Sequence, residues 1–150
     1  FSQELMERVT DSKNNFRLYR QILPIGVPRL AFNGYNSSFF SQLNAEAGAW
    51  WIAAHLSGML ELPSDAEQIA FTDKRLEWME ERTEGKHARG TNIIPFSVHN
   101  VDELLSDLDE KISGFKRFQE WLLPIDPRNY ASIEGKLIKR RDAQIGAAKR

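Results

Sequence analysis

The spacing of apolar and polar positions divides the chain into a short β-like part followed by helices. Residues 16–23 (FRLYRQIL) are dense in aromatic and branched side chains and run into Pro24, with Gly26 and Pro28 behind it. That pattern predicts a strand leaving through a turn. Residues 30–35 (LAFNGY) predict a second strand, and Gly34 near its end suits a close approach by a ligand or a neighbouring backbone. Residues 45–56 are apolar nearly all round, which predicts a helix buried on several sides. Ala45, Gly48, Ala49 and Ala53 leave one of its faces without bulk. Ser41 or Asn44 is the expected cap of this helix, Glu46 sits by its positive dipole end, and Gly58 is its stop.

Farther along, Ser64-Asp65-Ala66-Glu67 reads as a capping box opening an amphipathic helix through Ile69, Leu76, Trp78 and Met79 to about Thr83, closed by Gly85 and followed by a loop over 86–95. Asn100 with Glu103 predicts the next cap, for a helix carrying Leu104, Leu105, Leu108 and Ile112 and broken at Gly114. Residues 115–123 predict another helix, stopped by Pro124, and Asp126-Pro127 restarts one. From Lys136 the sequence turns polar and basic and should fray, while 2–9 reads as a short helix or loop ended by the polar stretch 10–15. Two strands do not make a stable sheet alone. They should pair with sequence outside these residues or form a minor hairpin on a helical body.

Composition narrows the function classes. The chain has 150 residues, 41% apolar, enough for one core. A net charge of -1 gives no electrostatic case for nucleic acid. With no Cys there is no disulfide framework, thiolate ligand or cysteine nucleophile, which is compatible with a reducing, cytoplasmic setting. No run of about 18 apolar residues is present, so no transmembrane segment is expected. The opening Phe1-Ser2-Gln3-Glu4 reads like a piece of a longer polypeptide.

The candidate chemistry is concentrated before the apolar helix, where residues 36–42 offer hydroxyls, amides and two phenyl rings. Such a loop suits a flavin or nucleotide edge, and it equally suits an ordinary connection rich in capping residues. His55, His87 and His99 are too scattered for a metal site, and His55 reads as a hydrogen-bonded core residue first and as a minor catalytic candidate second. Glu46 could touch a ligand or serve only the helix dipole, and Glu80 and Glu81 read as a solvated face. Trp78, Phe96, Phe115, Phe118, Trp121 and Tyr130 could line a groove, though core packing explains them more cheaply. Lys139-Arg140-Arg141 reads as a solvated tail. No nucleophile elbow, G-x-G-x-x-G or P-loop is present.

Gly34, Glu46, Trp51, Gly58, Leu62, Pro63 and Ser64 stand at the spacing of a strand ending in Gly, a variable loop, Glu with Trp five residues on, and Gly-x-x-x-Leu-Pro-Ser. In this the chain resembles the flavin-containing monooxygenases near their C-terminus, and the segment 16–24 is similar to the family's Leu-Tyr strand that runs into Pro. The related Baeyer-Villiger monooxygenases share the Glu and Trp spacing, but the Gly-x-x-x-Leu-Pro ending favours the former. The resemblance implies FAD and NADPH as cofactors and transfer of one oxygen from O2 to an amine nitrogen or a sulfide. It also implies an α/β fragment, mainly helical: residues 1–62 as the end of a Rossmann-type FAD-binding domain and 63–150 as a helical extension. Phe40, Ser41, Gln42, Leu43 and Glu46 would then lie against the flavin. The implied partners are a small-molecule substrate, the rest of the parent enzyme and a second copy in a homodimer. Both glycine-rich fingerprints are absent here, so the isolated chain should bind neither cofactor by itself. The competing class is a self-contained helical interaction domain without catalysis.

Overall fold

The computed structural model describes residues 2–84, 93 and 97–148, and it is mainly helical with one small antiparallel hairpin. Helix α1 (Gln3–Val9) starts where the Ser2 hydroxyl accepts from the Leu5 amide. An Asp11 carboxylate then takes amide bonds from Lys13 and Asn15, forming the turn that returns the chain.

The expected strand over 16–23 is instead a hairpin. Strand β1 (Leu18–Tyr19) pairs with β2 (Leu23–Pro24), Leu18 opposite Pro24 and Tyr19 opposite Leu23. Its turn carries Arg20 and Gln21 at φ 55° and 59°. Both values belong to a type I′ turn, which normally selects Asn or Gly. The second expected strand does not form. Residues 30–35 make a single backbone bond to the hairpin, from Phe32 N–H to Ile22 O at 2.8 Å.

Helix α2 (Ser41–Leu56) begins four residues before the expected Ala45, because Leu43 and Asn44 are already buried against the rest of the molecule. It ends as expected at Gly58, whose φ of 71° lets the following Met59 amide reach back to Ala54 O. Helix α3 (Asp65–Thr83) opens with the expected capping box, Ser64 Oγ accepting from Glu67 N while the Glu67 carboxylate accepts from Ser64 N. Its left-handed cap is Glu84, one residue before the expected Gly85. Gly85, the loop over 86–95 except Ile93, His87, Phe96 and the Trp121 side chain lie outside the described residues.

Helix α4 (Ser97–Asp107) starts three residues before the expected Asn100 cap. Asn100 is inside it, donating to the Asn44 side-chain carbonyl at 2.8 Å. α4 also stops well before Gly114, since Asp109 adopts φ 54° and Glu110 N turns back to Leu105 O. Gly114 does not break a helix but begins α5 (Gly114–Leu122), capped by Ser113. A 3-10 turn at Pro127–Asn129 follows, with Asp126 as its cap, and then α6 (Ile133–Ala148). α6 does not fray at Lys136, because Lys136 and Arg140 both bond Glu110 and Arg140 also donates to Leu108 O at 2.6 Å. The main core joins Tyr19 and Ile22 of the hairpin region, Leu43, Ala47, Trp51 and Ala54 of α2, Leu104 and Leu105 of α4, and Ile133 and Leu137 of α6. Residues on both sides of Leu62 share it.

Candidate functional site

The start of α2 is built by residues 33–46. Gly34 takes φ 66°, and a Cβ there would meet Ala45 Cβ at 3.1 Å. A Cβ on Gly48 would stand 2.5 Å from Asn33 Oδ1. The small face expected from Ala45 and Gly48 is thus covered by 33–34, while Ala49 and Ala53 of that set are exposed. Beside it Phe16, Phe32 and Tyr35 form an aromatic trio with centroids 5.3–5.9 Å apart. Burial pushes the Tyr35 phenol up.

Neither expected cap is used. Phe40 occupies the cap position and offers no side-chain acceptor. The Ser41 hydroxyl donates backwards to Ser38 O at 3.0 Å, and Asn44 Nδ2 donates to Ser38 Oγ and Phe40 O while its carbonyl serves Asn100. Asn44 is consumed by a buried amide pair with α4, so it is not free to turn toward the helix end. The first-turn amides of Ser41, Gln42 and Leu43 therefore have no capping side chain among the described residues, the arrangement that favours an oxygen-rich or anionic group.

Of the five residues singled out by sequence, Ser41, Gln42 and Glu46 share the exposed edge of this helix start. Phe40 is half-buried against the core, and Leu43, 8% exposed, faces inward, so only its backbone is available. The other resemblance positions serve the fold. Trp51 is fully buried and donates from Nε1 to Asp107 at 2.9 Å; Gly58 ends α2; Pro63 O accepts from Gln68; Ser64 caps α3. The Glu46 side chain, like that of Gln42, is exposed with no hydrogen bond or ion pair among the described residues.

His55 is not a core residue, and its imidazole makes no hydrogen bond among the described residues. It is half-buried, its ring 5.9 Å from that of Trp51, and it lines an open groove of about 480 Å³ with Ile25, Val27, Leu30, Ile52 and Leu62. That groove lies at the opposite end of α2 from the candidate loop. His99 stands edge-on to Trp78, with its imidazole held low by burial and the Arg75 charge. The Arg75 and Arg82 guanidinium carbons lie 4.6 and 4.5 Å from the centre of the Trp78 ring. Among the described residues no group of three or more His, Asp or Glu side chains is placed to hold a metal, and no helix is long and apolar enough to cross a membrane.

Two buried ionic clusters escaped the sequence reading. Arg20 makes a two-pronged contact with Asp107 at 2.7 and 2.6 Å, with Glu103 at 3.6 Å and the Phe71 ring 4.3 Å from its guanidinium carbon. Arg117 bonds Asp102, Glu120 and the Tyr130 hydroxyl, and that hydroxyl donates to Glu120. Desolvation raises the Asp102 and Glu103 carboxyls above their ordinary values. Tyr130 is core, as expected, but Phe115 and Phe118 are not. No protein family, curated protein or solved structure matches this chain.

Proposed function

We propose that this chain is the C-terminal part of an FAD- and NADPH-dependent monooxygenase that inserts one oxygen atom from O2 into a soft nucleophile, an amine nitrogen or a sulfide sulfur. The observation that carries the reading is Glu46. Gly34, Trp51, Gly58, Pro63 and Ser64 of the resemblance pattern have roles in holding the fold, whereas Glu46 stands exposed near a helix start with no hydrogen bond or ion pair among the described residues. The uncapped amides beside it suit the polar edge of a flavin, and Gly34 lets its backbone lie close against Ala45 at this helix start.

In this reading Ser41 and Gln42, with the Phe40 and Leu43 backbone, would hold the flavin edge, and Glu46 would orient a donor group of the cofactor or substrate. Bound there, FAD supplies the redox chemistry of oxygen activation. This chain's residues contribute positioning and shelter from water: the helix start is fixed by the Asn44–Asn100 pair, and Phe39 and Phe40 flank it with apolar surface. The Rossmann-type origin of residues 1–62, a small-molecule substrate and a cytoplasmic setting belong to the same proposal. The pyrophosphate sites of both cofactors would be supplied by polypeptide beyond these residues, since no glycine-rich fingerprint is present in them.

The test uses the full-length polypeptide as encoded. It should purify yellow with FAD near one per chain and oxidise NADPH. Gln42→Trp should retain severalfold less FAD, or form severalfold less product per NADPH consumed with a tertiary amine or a thioether as probe. Lys139→Ala and Arg141→Ala should match wild type on both measures. A colourless protein that neither takes up added FAD nor consumes NADPH overturns the reading. So does a Gln42→Trp variant indistinguishable from wild type.

A further inference from the structure

The far end of α2, about 20 Å along the helix axis from the proposed flavin edge, borders a separate groove. Its walls are residues 23–31, which begin in β2, the last turns of α2 and the start of α3. It holds about 480 Å³, within the usual range of small-molecule sites. The segment 23–31 turns twice. Val27 N–H donates to Pro24 O across Gly26, which takes φ 71°, and Arg29 then adopts φ 62°. A positive φ is uncommon at a residue with a side chain, and Arg29 has no hydrogen bond or ion pair among the described residues to hold it there.

The walls select a ligand in two parts. Ile25, Val27, Leu30, Ile52, Leu56 and Leu62 give aliphatic surface on every side, and the one ring among the lining residues is the His55 imidazole. A flat aromatic ligand finds no phenyl or indole to stack on, whereas a flexible hydrocarbon chain meets branched side chains throughout. The charged residues of the lining are Arg29 and Asp65. Asp65 stands in the first turn of α3, where the helix dipole already favours its carboxylate, and Gln68 spends its Nε2 on Pro63 O at 2.8 Å. Arg29 and His55 have no such use among the described residues. Arg8 adds a second guanidinium beside the segment by donating to Gly26 O at 3.4 Å. The charge left without a counterpart at this groove is therefore positive.

We infer that the groove binds an alkyl monocarboxylate, its chain laid between residues 25–30 and α2 and its carboxylate received by the Arg29 guanidinium, with His55 as a further donor. The site is distinct from the proposed flavin edge, and its test reads heat of binding whether or not the protein carries flavin. Titration calorimetry of the full-length polypeptide at pH 7 with hexanoate, octanoate and decanoate should show one site that tightens about three- to fourfold per added methylene. Octylamine and 1-octanol should bind about tenfold or more weaker than octanoate. Arg29→Gln should weaken octanoate about tenfold and leave 1-octanol unchanged. Leu56→Asp, at a side chain 78% exposed, should abolish octanoate binding without altering circular dichroism. A wild type that binds no octanoate overturns the proposal, as does affinity that does not rise with chain length. Octylamine binding as tightly as octanoate also overturns it, since Asp65 would then be the determinant. So does octanoate affinity that survives either substitution, or a Leu56→Asp protein with altered circular dichroism, which would mean that the rest of the polypeptide covers the groove.

Discussion

At Gly34 two constraints coincide. Its φ of 66° is strained for any side chain, and the Ala45 methyl stands 3.1 Å from where a Cβ would be. Gly34→Ala should therefore destabilise the fold by about 1–2 kcal/mol, read as a lower urea midpoint. Gly48→Ala meets a different obstacle, the end of the Asn33 side chain, which can swing away more easily than a helix can retreat. It should cost less than Gly34→Ala. Arg20 shows the reverse logic, with a side chain dictating an unfavourable backbone. Its φ of 55° is held because the guanidinium is pinned to Asp107 and the Phe71 ring lies close to it.

Among the helices, α3 has the best-satisfied start. Hydrogen bonds from Ser64 hold the Glu67 carboxyl below its ordinary value of 4.5. A carboxyl depressed in the folded state binds its proton more weakly there than in the unfolded chain. Its contribution is thus complete above about pH 4.5 and is lost as pH falls through the lowered folded value. Ser64→Ala and Glu67→Gln should each lower the melting temperature at neutral pH; on acidification below that point the gap should close for Glu67→Gln and only narrow for Ser64→Ala, whose lost bond to the Glu67 amide does not titrate. Helix α2 has no such box, and its open start is what makes it a candidate site rather than a rigid terminus.

Across the whole molecule, Asp107 joins three parts of the chain. It accepts from Arg20 of the hairpin and from Trp51 of α2 while standing on α4, and the Arg20 and Asp107 side chains are only 13% and 15% exposed. Asp107→Ala leaves a desolvated guanidinium without its main counter-charge and an indole N–H without its acceptor. The expected loss is about 3 kcal/mol by chemical denaturation, with altered tryptophan fluorescence from Trp51. Glu103 remains near Arg20 and limits the damage.

What the sequence determined by itself is everything carried by neighbours a few residues apart. The capping box of α3, the Gly58 stop, the small face of α2 and the helical spacing of α3 to α5 were legible, because a cap or an amphipathic stripe is complete within a turn or two. Glu46 was legible as a residue at a helix start; that it has no partner among the described residues was not. Tertiary structure decided the rest. The type I′ turn at Arg20 and Gln21 has no Gly or Asn to announce it, and the contact that holds it lies 87 positions away. Asn44 is withdrawn from capping by Asn100, 56 positions on, and α6 persists past Lys136 through Glu110, 26 positions back. Residues 30–35 keep the composition of a strand yet form none among the described residues, since a strand exists only where another backbone supplies its ladder of hydrogen bonds. Side-chain pairs at such separations leave no periodic trace in sequence, and it is they that set which face of each helix is open.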